Sequence, residues 1–186
     1  MQDPIVDRVV IVTGAGSGFG RLLSQKCATL GARVVCADVN QSTLDETVAT
    51  ITQAGGSVIG QQTDVSDFVS VQRLAQRAVE TYGTIDVLVN NAGTMPLAFY
   101  RDHAQALDAW TRCIDVNIKG VLHGTVAVFD QMIEQGRGHV VNISSIYGNF
   151  PVEGAGVYGA TKSAVNFLSE SLRVEGQGKI KAVSYT

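Results

Sequence analysis

Short apolar runs alternate along the chain with longer stretches in which apolar and polar residues recur at helical spacing. The short runs predict strands at residues 8–13, 33–38, 57–61, 85–90, 139–144 and 180–184. The longer stretches predict helices at residues 19–30, 42–54, 69–82, 104–135 and 158–175. The fourth of these is long for a single helix and contains Gly120, so we expect a bend between residues 116 and 120.

The strand runs are apolar at nearly every position, as in Val-Val-Ile-Val at residues 9–12. This pattern is typical of strands that helices cover on both faces. Strands that alternate with helices in this way form a parallel sheet between two helical layers. The sequence therefore predicts a doubly wound α/β fold, in a single domain over residues 1–186.

The composition of the chain argues against some classes of binding partner. The chain has 186 residues, of which 45% are hydrophobic and 17% are charged, enough for a sizeable core. Lys and Arg total 14 against 17 Asp and Glu, and no basic patch indicates a nucleic-acid or anionic-membrane partner. Residues 1–4 carry no signal-like segment and no apolar run approaches membrane-spanning length, so we expect a cytoplasmic protein.

The cysteines and histidines show no metal-ligand spacing. Cys27, Cys36 and Cys113 are odd in number, far apart and surrounded by apolar residues. They are therefore interpreted as buried, reduced thiols, and no metal site is predicted.

A glycine-rich turn, Thr-Gly-Ala-Gly-Ser-Gly-Phe-Gly at residues 13–20, joins the first strand to the first helix. Glycines let a backbone approach a ligand closely, and a helix N-terminus offers free N–H groups to a pyrophosphate. This is the arrangement of a Rossmann dinucleotide site. The spacing is Gly14-x-x-x-Gly18-x-Gly20 rather than G-x-G-x-x-G, and no Lys follows as in a Walker A loop. A connector without a ligand is the alternative.

Asp38 ends the second predicted strand, 20 residues after Gly18. A carboxylate there can accept hydrogen bonds from the adenosine ribose and would repel a 2′-phosphate. Because neither Ser17 nor Val39 is basic, NAD(H) is favoured over NADP(H). Alternatively, Asp38 is a helix N-cap or a solvent-facing turn residue, and Asn40 or Ser42 could equally cap the next helix.

Tyr158 and Lys162 lie four residues apart in a predicted helix, so their side chains share one face. A phenol ordinarily has a pKa of about 10, and a fixed positive charge nearby favours the phenolate. Such a pair suits proton exchange with an alcohol or carbonyl oxygen, although Tyr and Lys also occur at this spacing by chance. Ser145 lies 13 residues before Tyr158, at the end of a predicted strand.

Together these features resemble the short-chain dehydrogenase/reductase family. The resemblance runs from the glycine-rich turn to the last strand. It includes Asn-Asn-Ala-Gly at residues 90–93, Asp-Val-Asn at 115–117, Asn-Ile-Ser-Ser at 142–145 and Tyr-x-x-x-Lys at 158–162. It implies an NAD(P)-dependent oxidoreductase that transfers a hydride between nicotinamide and a secondary alcohol or ketone.

The resemblance also implies four catalytic residues. Tyr158 would be the general acid-base, Ser145 would orient the substrate oxygen, and Lys162 would favour the phenolate and bind the nicotinamide ribose. Asn117 would hold a water that links Lys162 to solvent, or would satisfy backbone groups at the helix bend. Ser144 competes for the oxygen-binding role, but the 13-residue interval to the tyrosine in this family favours Ser145.

The remaining implied site residues bind the cofactor. Asp64 would contact the adenine, and residues 91–93 would form the cofactor floor and brace the sheet. The full predicted cofactor set is Gly14, Ser17, Gly18, Phe19, Gly20, Asp38, Asp64, Val65, Asn91, Ala92, Gly93, Tyr158 and Lys162.

Other expectations concern the substrate and the assembly. The predicted pocket positions are mostly apolar and favour a hydrophobic or aromatic alcohol or ketone, although loops at this edge also bury apolar residues for packing alone. They are Met95, Pro96, Leu97, Phe99, Ile146, Tyr147, Phe150 and Val152. Relatives commonly form homodimers or homotetramers through the helices at 104–135 and 158–175. The family usually continues beyond residue 186 with a lid and a further strand, so the chain is expected to be C-terminally incomplete relative to it. A noncatalytic nucleotide-binding or regulatory protein on the same scaffold is the alternative function.

Overall fold

Strand β1, Val9–Thr13, lies near the middle of a six-stranded parallel sheet in the computed structural model, which describes residues 5–186. The other strands are β2 Arg33–Asp38, β3 Ser57–Gln62, β4 Val87–Asn90, β5 Gly138–Ile143 and β6 Ile180–Tyr185. Their order across the sheet is β3-β2-β1-β4-β5-β6. Residues 1–4, over which no signal segment was predicted, lie outside the described residues.

Helices cover both faces of the sheet. They are α1 Gly18–Thr29, α2 Gln41–Gln53, α3 Phe68–Tyr82, α4 His103–Ile114, α5 Gly120–Glu134 and α6 Gly156–Glu175. Val9 and Ile11 of β1 belong to the core under α3, α5 and α6, whereas Val10 and Val12 belong to the core under α1 and α2. Successive strand residues face opposite sides, so a run that is apolar throughout supplies both cores at once.

All six predicted strands are confirmed, each within two residues of its predicted ends. The largest difference is at β4, which begins at Val87 rather than at residue 85. The preceding residue, Asp86, is buried, and its carboxylate accepts hydrogen bonds from Arg8, Arg137 and the backbone N–H of Val9. These contacts fix the amino end of β4 to its neighbouring strands.

Where a bend was predicted in the fourth helical stretch, the structure has a π-helical turn, Asp115–Lys119, between α4 and α5. Such single wide turns inside α-helices occur frequently at functional sites. Gly120 follows the turn, and a Cβ on it would lie 2.8 Å from Cγ2 of Val65. The absence of a side chain therefore lets α5 pack closely against the loop that follows β3.

Because every strand is parallel, all six carboxyl ends lie at one edge of the sheet. The chain leaves β1 toward helices on one face and leaves β4 toward helices on the other face, which opens a crevice between the two strand ends. Ligands of doubly wound sheets bind in this crevice. The glycine-rich turn after β1 and the Asn-Asn-Ala-Gly segment after β4 border it.

The three cysteines are buried and unpaired, as predicted: Cys27, Cys36 and Cys113. Burial raises the pKa of the Cys36 thiol to about 11, so it stays protonated at neutral pH.

Within residues 5–186, no helix is both long enough and apolar enough to cross a membrane.

Candidate active site

A cavity of 340 Å³ occupies the crevice between the carboxyl ends of β1 and β4. It is lined by ten of the predicted cofactor residues: Gly14, Ser17, Gly18, Phe19, Asp38, Asp64, Val65, Asn91, Ala92 and Gly93. These residues come from the carboxyl ends of strands β1 to β4 and the segments that follow them, so the fold brings together positions that lie up to 79 apart in the chain. The lining also includes residues that the sequence analysis did not identify: Val39, Thr63, Thr94, Arg112 and Val116.

The N-terminus of α1 meets this cavity without a cap. Ser17 occupies the N-cap position but makes no side-chain hydrogen bond there, and the first turn of α1 contains no acidic residue. A Cβ on Gly18 would meet no atom within 4 Å, so space is open next to the first N–H groups. Uncapped N–H groups and the helix dipole together bind anions. The residues present therefore fit a pyrophosphate.

Gly20 lies behind the cavity, where α1 comes closest to the end of β1. A Cβ on Gly20 would lie 2.2 Å from the carbonyl oxygen of Gly14 and 2.5 Å from Nδ2 of Asn91. No larger residue fits without moving the helix. Gly20 is thus a packing residue of the turn and not part of the cavity lining.

Thr13 connects the glycine-rich turn to the segment after β4. Its hydroxyl accepts hydrogen bonds from the backbone N–H groups of Asn91 and Ala92, at 3.0 and 3.1 Å, and donates to the carbonyl of Val89. The Asn91 amide donates to the carbonyl of Thr13 at 2.9 Å. These bonds hold the two borders of the crevice at a fixed separation, which agrees with the bracing role expected for residues 91–93.

The Asp38 carboxylate lies at the end of β2 with both oxygens directed to backbone donors. Oδ2 accepts from the N–H of Gly16 at 2.8 Å, and Oδ1 accepts from the N–H of Asn40 at 2.9 Å. The cap of α2 is Asn40, whose side chain accepts from Thr43 N–H, so the capping alternative for Asp38 is wrong. A carboxylate has about four lone-pair sites, so each oxygen can still accept a ribose hydroxyl.

Asp64 lies across the cavity, in the loop after β3. Its Oδ1 accepts hydrogen bonds from both the N–H and the hydroxyl of Ser66, at 2.9 and 2.6 Å. The hydroxyl bond from Ser66 lowers the pKa of Asp64 below its usual value, with a smaller contribution from the positive charge of Arg112. Asp64 is therefore an ionised acceptor whose second oxygen has no hydrogen bond among the described residues.

Ser144 and Ser145 at the end of β5 have different surroundings. Ser144 is buried, and its hydroxyl donates to the carbonyl of Lys162 at 3.1 Å. Ser145 is half-buried, and its hydroxyl oxygen accepts from the N–H of Tyr147 at 3.2 Å, which leaves the hydroxyl proton free. Of the two serines, Ser145 is the one with a proton to offer to a ligand.

Tyr158 and Lys162 share one face of α6, as the four-residue spacing requires. Nζ of Lys162 lies 5.7 Å from the centre of the Tyr158 ring and donates to the carbonyl of Ile143 at 2.6 Å. A Cβ on Gly93 would lie 3.8 Å from Nζ, so the ammonium adjoins the cavity floor. Burial lowers the pKa of Lys162, an effect partly offset by Cys113.

Asn117 lies in the π-helical turn, with 1% of its surface exposed. Oδ1 accepts from the N–H of Thr94, and Nδ2 lies within hydrogen-bond distance of the Thr94 carbonyl, Oγ1 of Thr161 and Sγ of Cys113. The side chain thus joins the loop after β4 to α6, rather than satisfying backbone groups of its own helix. A water held by Asn117 would have to use the remaining lone pair of Oδ1 or the main chain.

Arg112 and Val116 are cavity residues that the sequence analysis missed. They lie four residues apart, and helical spacing places them on one face. The four-residue spacing alone could have indicated that the two side chains lie on the same face of the helix. Nothing in the sequence showed that this face borders the crevice. Its position depends on how α4 packs against the sheet.

Apolar side chains surround the mouth of the site at the loops after β4 and β5. Five of the predicted pocket residues are between 44% and 57% exposed: Met95, Leu97, Phe99, Ile146 and Phe150. The two loops are joined by a hydrogen bond from the N–H of Ala98 to the carbonyl of Gly154, at 2.9 Å. Next to this bond lies a cavity of 490 Å³ to which Phe99 and Val152 contribute. Exposed apolar clusters of this kind mark binding surfaces.

The model of the family described as short chain dehydrogenase matches residues 8–185. An uncharacterized oxidoreductase of Listeria monocytogenes is 40% identical over 173 residues, which cover 92% of this chain and 68% of the relative. A second uncharacterized oxidoreductase, from Staphylococcus saprophyticus, shows the same identity and coverage.

Solved structures agree with these sequence matches. A short chain dehydrogenase/reductase from Burkholderia phymatum, crystallised in complex with NAD, is 36% identical and has a TM-score of 0.93. The match covers 98% of this chain and 66% of that protein. The apo form of LigO from Sphingobium is 31% identical, with a TM-score of 0.89 over 98% of this chain and 68% of LigO. The chain thus spans about two thirds of the length of these relatives.

Proposed function

The chain belongs to the short-chain dehydrogenase family, and from this membership and its site we propose that it is an NAD-dependent oxidoreductase acting on a secondary alcohol or ketone. The observation that carries the proposal is the position of the buried Lys162 ammonium. It lies beside the Tyr158 ring and next to Gly93, which lines the cavity; neither Tyr158 nor Lys162 is itself part of the lining. A buried lysine with a shifted pKa, beside a phenol and next to a cavity, is a candidate functional residue.

Each proposed catalytic residue has a distinct task. The nicotinamide, when bound, accepts or supplies the hydride. Tyr158 takes the hydroxyl proton during oxidation and returns it to the carbonyl oxygen during reduction. Ser145 donates its free hydroxyl proton to that oxygen, and the positive charge of Lys162 favours the phenolate. Lys162 also has donor capacity for a ribose hydroxyl, since an ammonium has three protons and Ile143 takes one.

A preference for NAD(H) over NADP(H) is supported by Asp38. Its carboxylate has spare acceptor capacity for two ribose hydroxyls, whereas a 2′-phosphate would bring a second negative charge against it. The NAD bound to the Burkholderia phymatum protein is consistent with this preference. Asp64 and Val65 would bind the adenine at the other end of the cavity.

We propose a hydrophobic substrate because apolar side chains dominate the loops on either side of the proposed catalytic residues. Tyr147 packs edge-on against Tyr158, with ring centres 6.2 Å apart, and would form one wall of the pocket. The noncatalytic alternative is not favoured, since the matched relatives are described as oxidoreductases. It would also leave the combined Asn117, Ser145, Tyr158 and Lys162 set without a purpose.

Assembly through α5 and α6 is part of the proposal. A groove of 310 Å³ runs between the two helices on the outer surface and is lined mainly by apolar side chains, including Leu122, Val126, Phe129, Leu168 and Leu172. Val126 is 50% exposed in the isolated chain. We propose that a second copy covers this surface in a homodimer or a homotetramer.

Titration with NADH and, separately, NADPH tests the cofactor assignment, with nicotinamide fluorescence as the readout. We expect tighter binding of NADH, followed by NAD-dependent oxidation of some members of a panel of secondary alcohols. Equal or tighter binding of NADPH would contradict the role given to Asp38. Binding of neither nucleotide would contradict the cofactor assignment itself.

A further inference from the structure

Gly16 is held from two sides where Asp38 meets the glycine-rich turn. Its N–H donates to Oδ2 of Asp38 at 2.8 Å, and its carbonyl accepts from Nε and Nη2 of Arg21 at 3.0 and 2.5 Å. A Cβ on Gly16 would lie 2.8 Å from Oδ2 of Asp38 and 2.5 Å from Oγ1 of Thr43, so a larger residue would displace these side chains. A carboxylate and a guanidinium thus contact opposite ends of one residue.

The Arg21 guanidinium is fixed by more than this one contact. Nη2 also donates to the carbonyl of Thr43 at 3.3 Å and to Oε2 of Glu46 at 3.0 Å. An exposed ion pair alone contributes little to stability, but here two backbone carbonyls hold the planar donor group as well. Glu46 therefore neutralises a positive charge that is anchored beside the ribose-binding carboxylate.

Three charged groups meet at this corner: the carboxylates of Asp38 and Glu46 and the guanidinium of Arg21. An arginine is the side chain best suited to bind a phosphate, because its donors form a planar fork. Arg21 contacts Gly16, and Gly16 in turn contacts Asp38. A guanidinium at this position with no carboxylate paired to it would attract the 2′-phosphate of NADP(H). Glu46 pairs with the guanidinium and neutralises its charge. The corner then holds two carboxylates, Asp38 and Glu46, and one cation, Arg21.

We propose that Arg21 and Glu46 form a specificity-determining pair. Arg21 positions Gly16, and through it the Asp38 carboxylate, for ribose hydroxyls, while Glu46 prevents Arg21 from binding a 2′-phosphate. This inference rests on the proposed cofactor function and extends it to two residues outside the cavity lining. It predicts that the preference for NADH does not depend on Asp38 alone.

Replacement of Glu46 tests the pair. Glu46→Gln removes the charge but keeps the shape, and we expect NADPH to bind roughly fivefold more tightly while the Kd for NADH changes less than about twofold. Asp45→Asn is the matched control, because it removes the same charge one residue away, where the carboxylate contacts Gln41 rather than Arg21. The control should leave the ratio of the two dissociation constants unchanged.

A double-variant cycle shows whether the effect passes through Arg21. In an Arg21→Gln background, Glu46→Gln should give no gain in NADPH affinity, since no guanidinium charge remains to attract the 2′-phosphate. Arg21→Gln alone should weaken NADH binding because Gly16 and Asp38 lose their support. Thermal unfolding of each variant verifies that the fold persists; Glu46 is 61% exposed, so its replacement should be tolerated.

The outcomes separate this inference from the proposed function. If the unchanged protein binds NADH and Glu46→Gln leaves the NADPH to NADH ratio as it was, the pair has no role in specificity. The same conclusion follows if Asp45→Asn raises NADPH affinity as much as Glu46→Gln does, because the effect is then one of general charge. If the unchanged protein binds neither nucleotide, the cofactor function itself is overturned, and the inference with it.

Discussion

Nζ of Lys162 lies 5.7 Å from the centre of the Tyr158 ring while it donates a 2.6 Å hydrogen bond to the carbonyl of Ile143. The lysine is therefore tied to the end of β5, and α6 supplies the tyrosine one turn earlier. This arrangement fixes a positive charge beside the phenol through two elements of secondary structure. A flexible surface lysine at the same spacing would not hold that position.

Tyr158→Phe should lower turnover by at least about a hundredfold, because it removes the proposed proton donor and acceptor. NADH affinity should change little, since the ring and its packing remain. Steady-state rates and a fluorescence titration on the same preparation measure both quantities. Tyr147→Phe is the control, as its ring lies 6.2 Å away and no lysine follows it by one turn. A Tyr158→Phe variant with an unimpaired rate would rule out the assignment.

As pH rises, activity should begin to fall at a lower pH than it would if Lys162 were an exposed lysine. Burial lowers the pKa of Lys162 from its ordinary value of 10.5, so the ammonium loses its proton earlier as pH rises. The neutral amine no longer favours the phenolate and no longer offers the same donors to a ribose. A pH profile of kcat/KM and of NADH affinity measures this limb. Lys162→Ala should impair both quantities at neutral pH, and an unchanged NADH affinity would contradict the ribose role.

Asn117→Ala should lower the free energy of unfolding by about 1–3 kcal/mol, because the half-buried N–H of Thr94 loses its side-chain partner and the Thr94 carbonyl keeps only the Cys113 thiol. Urea denaturation measures the change. Asn166→Ala is the control, since its amide makes a single 3.5 Å contact with Asn149. Equal losses in the two variants would show that the bridge from Asn117 to the β4 loop contributes nothing specific.

Stability should decline below about pH 6.5, with His139 as a contributor. Burial, and to a smaller extent Lys181, lowers the pKa of His139 below 6.5. The unfolded chain then binds more protons than the folded chain as pH falls through this window, so acid favours unfolding. Urea denaturation at about pH 7.5 and about pH 5.5 should show a smaller loss for His139→Gln than for the unchanged protein. His103→Gln, at an exposed position, should behave like the unchanged protein.

Val126→Glu should weaken the proposed assembly, because it introduces a charge into the apolar groove between α5 and α6. Sedimentation should then show a shift toward the monomer. Val69→Glu provides the control, since Val69 is 55% exposed on α3 and lies outside the groove. A monomeric unchanged protein, or an assembly insensitive to Val126→Glu, would place the interface elsewhere or remove it.

The strands could be located because residues such as Val9 to Val12 face two cores in alternation, which leaves no polar position in the run. The glycine-rich turn was recognisable because close approach excludes side chains, as the Cβ distances at Gly20 show. The choice between Ser144 and Ser145 needed the family interval, because both serines end the same strand.

What the sequence determined by itself is local: where strands and helices lie, where the backbone must approach a ligand, and which residue types are available for proton transfer. The tertiary structure decided which distant positions meet. It places Arg112 at the cavity, bonds Asn117 to the loop after β4, and sets Arg21 between Gly16 and Glu46. The physical reason is that hydrophobic periodicity sets which face of a helix is buried. The exact neighbours on that face depend on how whole elements pack, and short-range patterns carry no record of that packing.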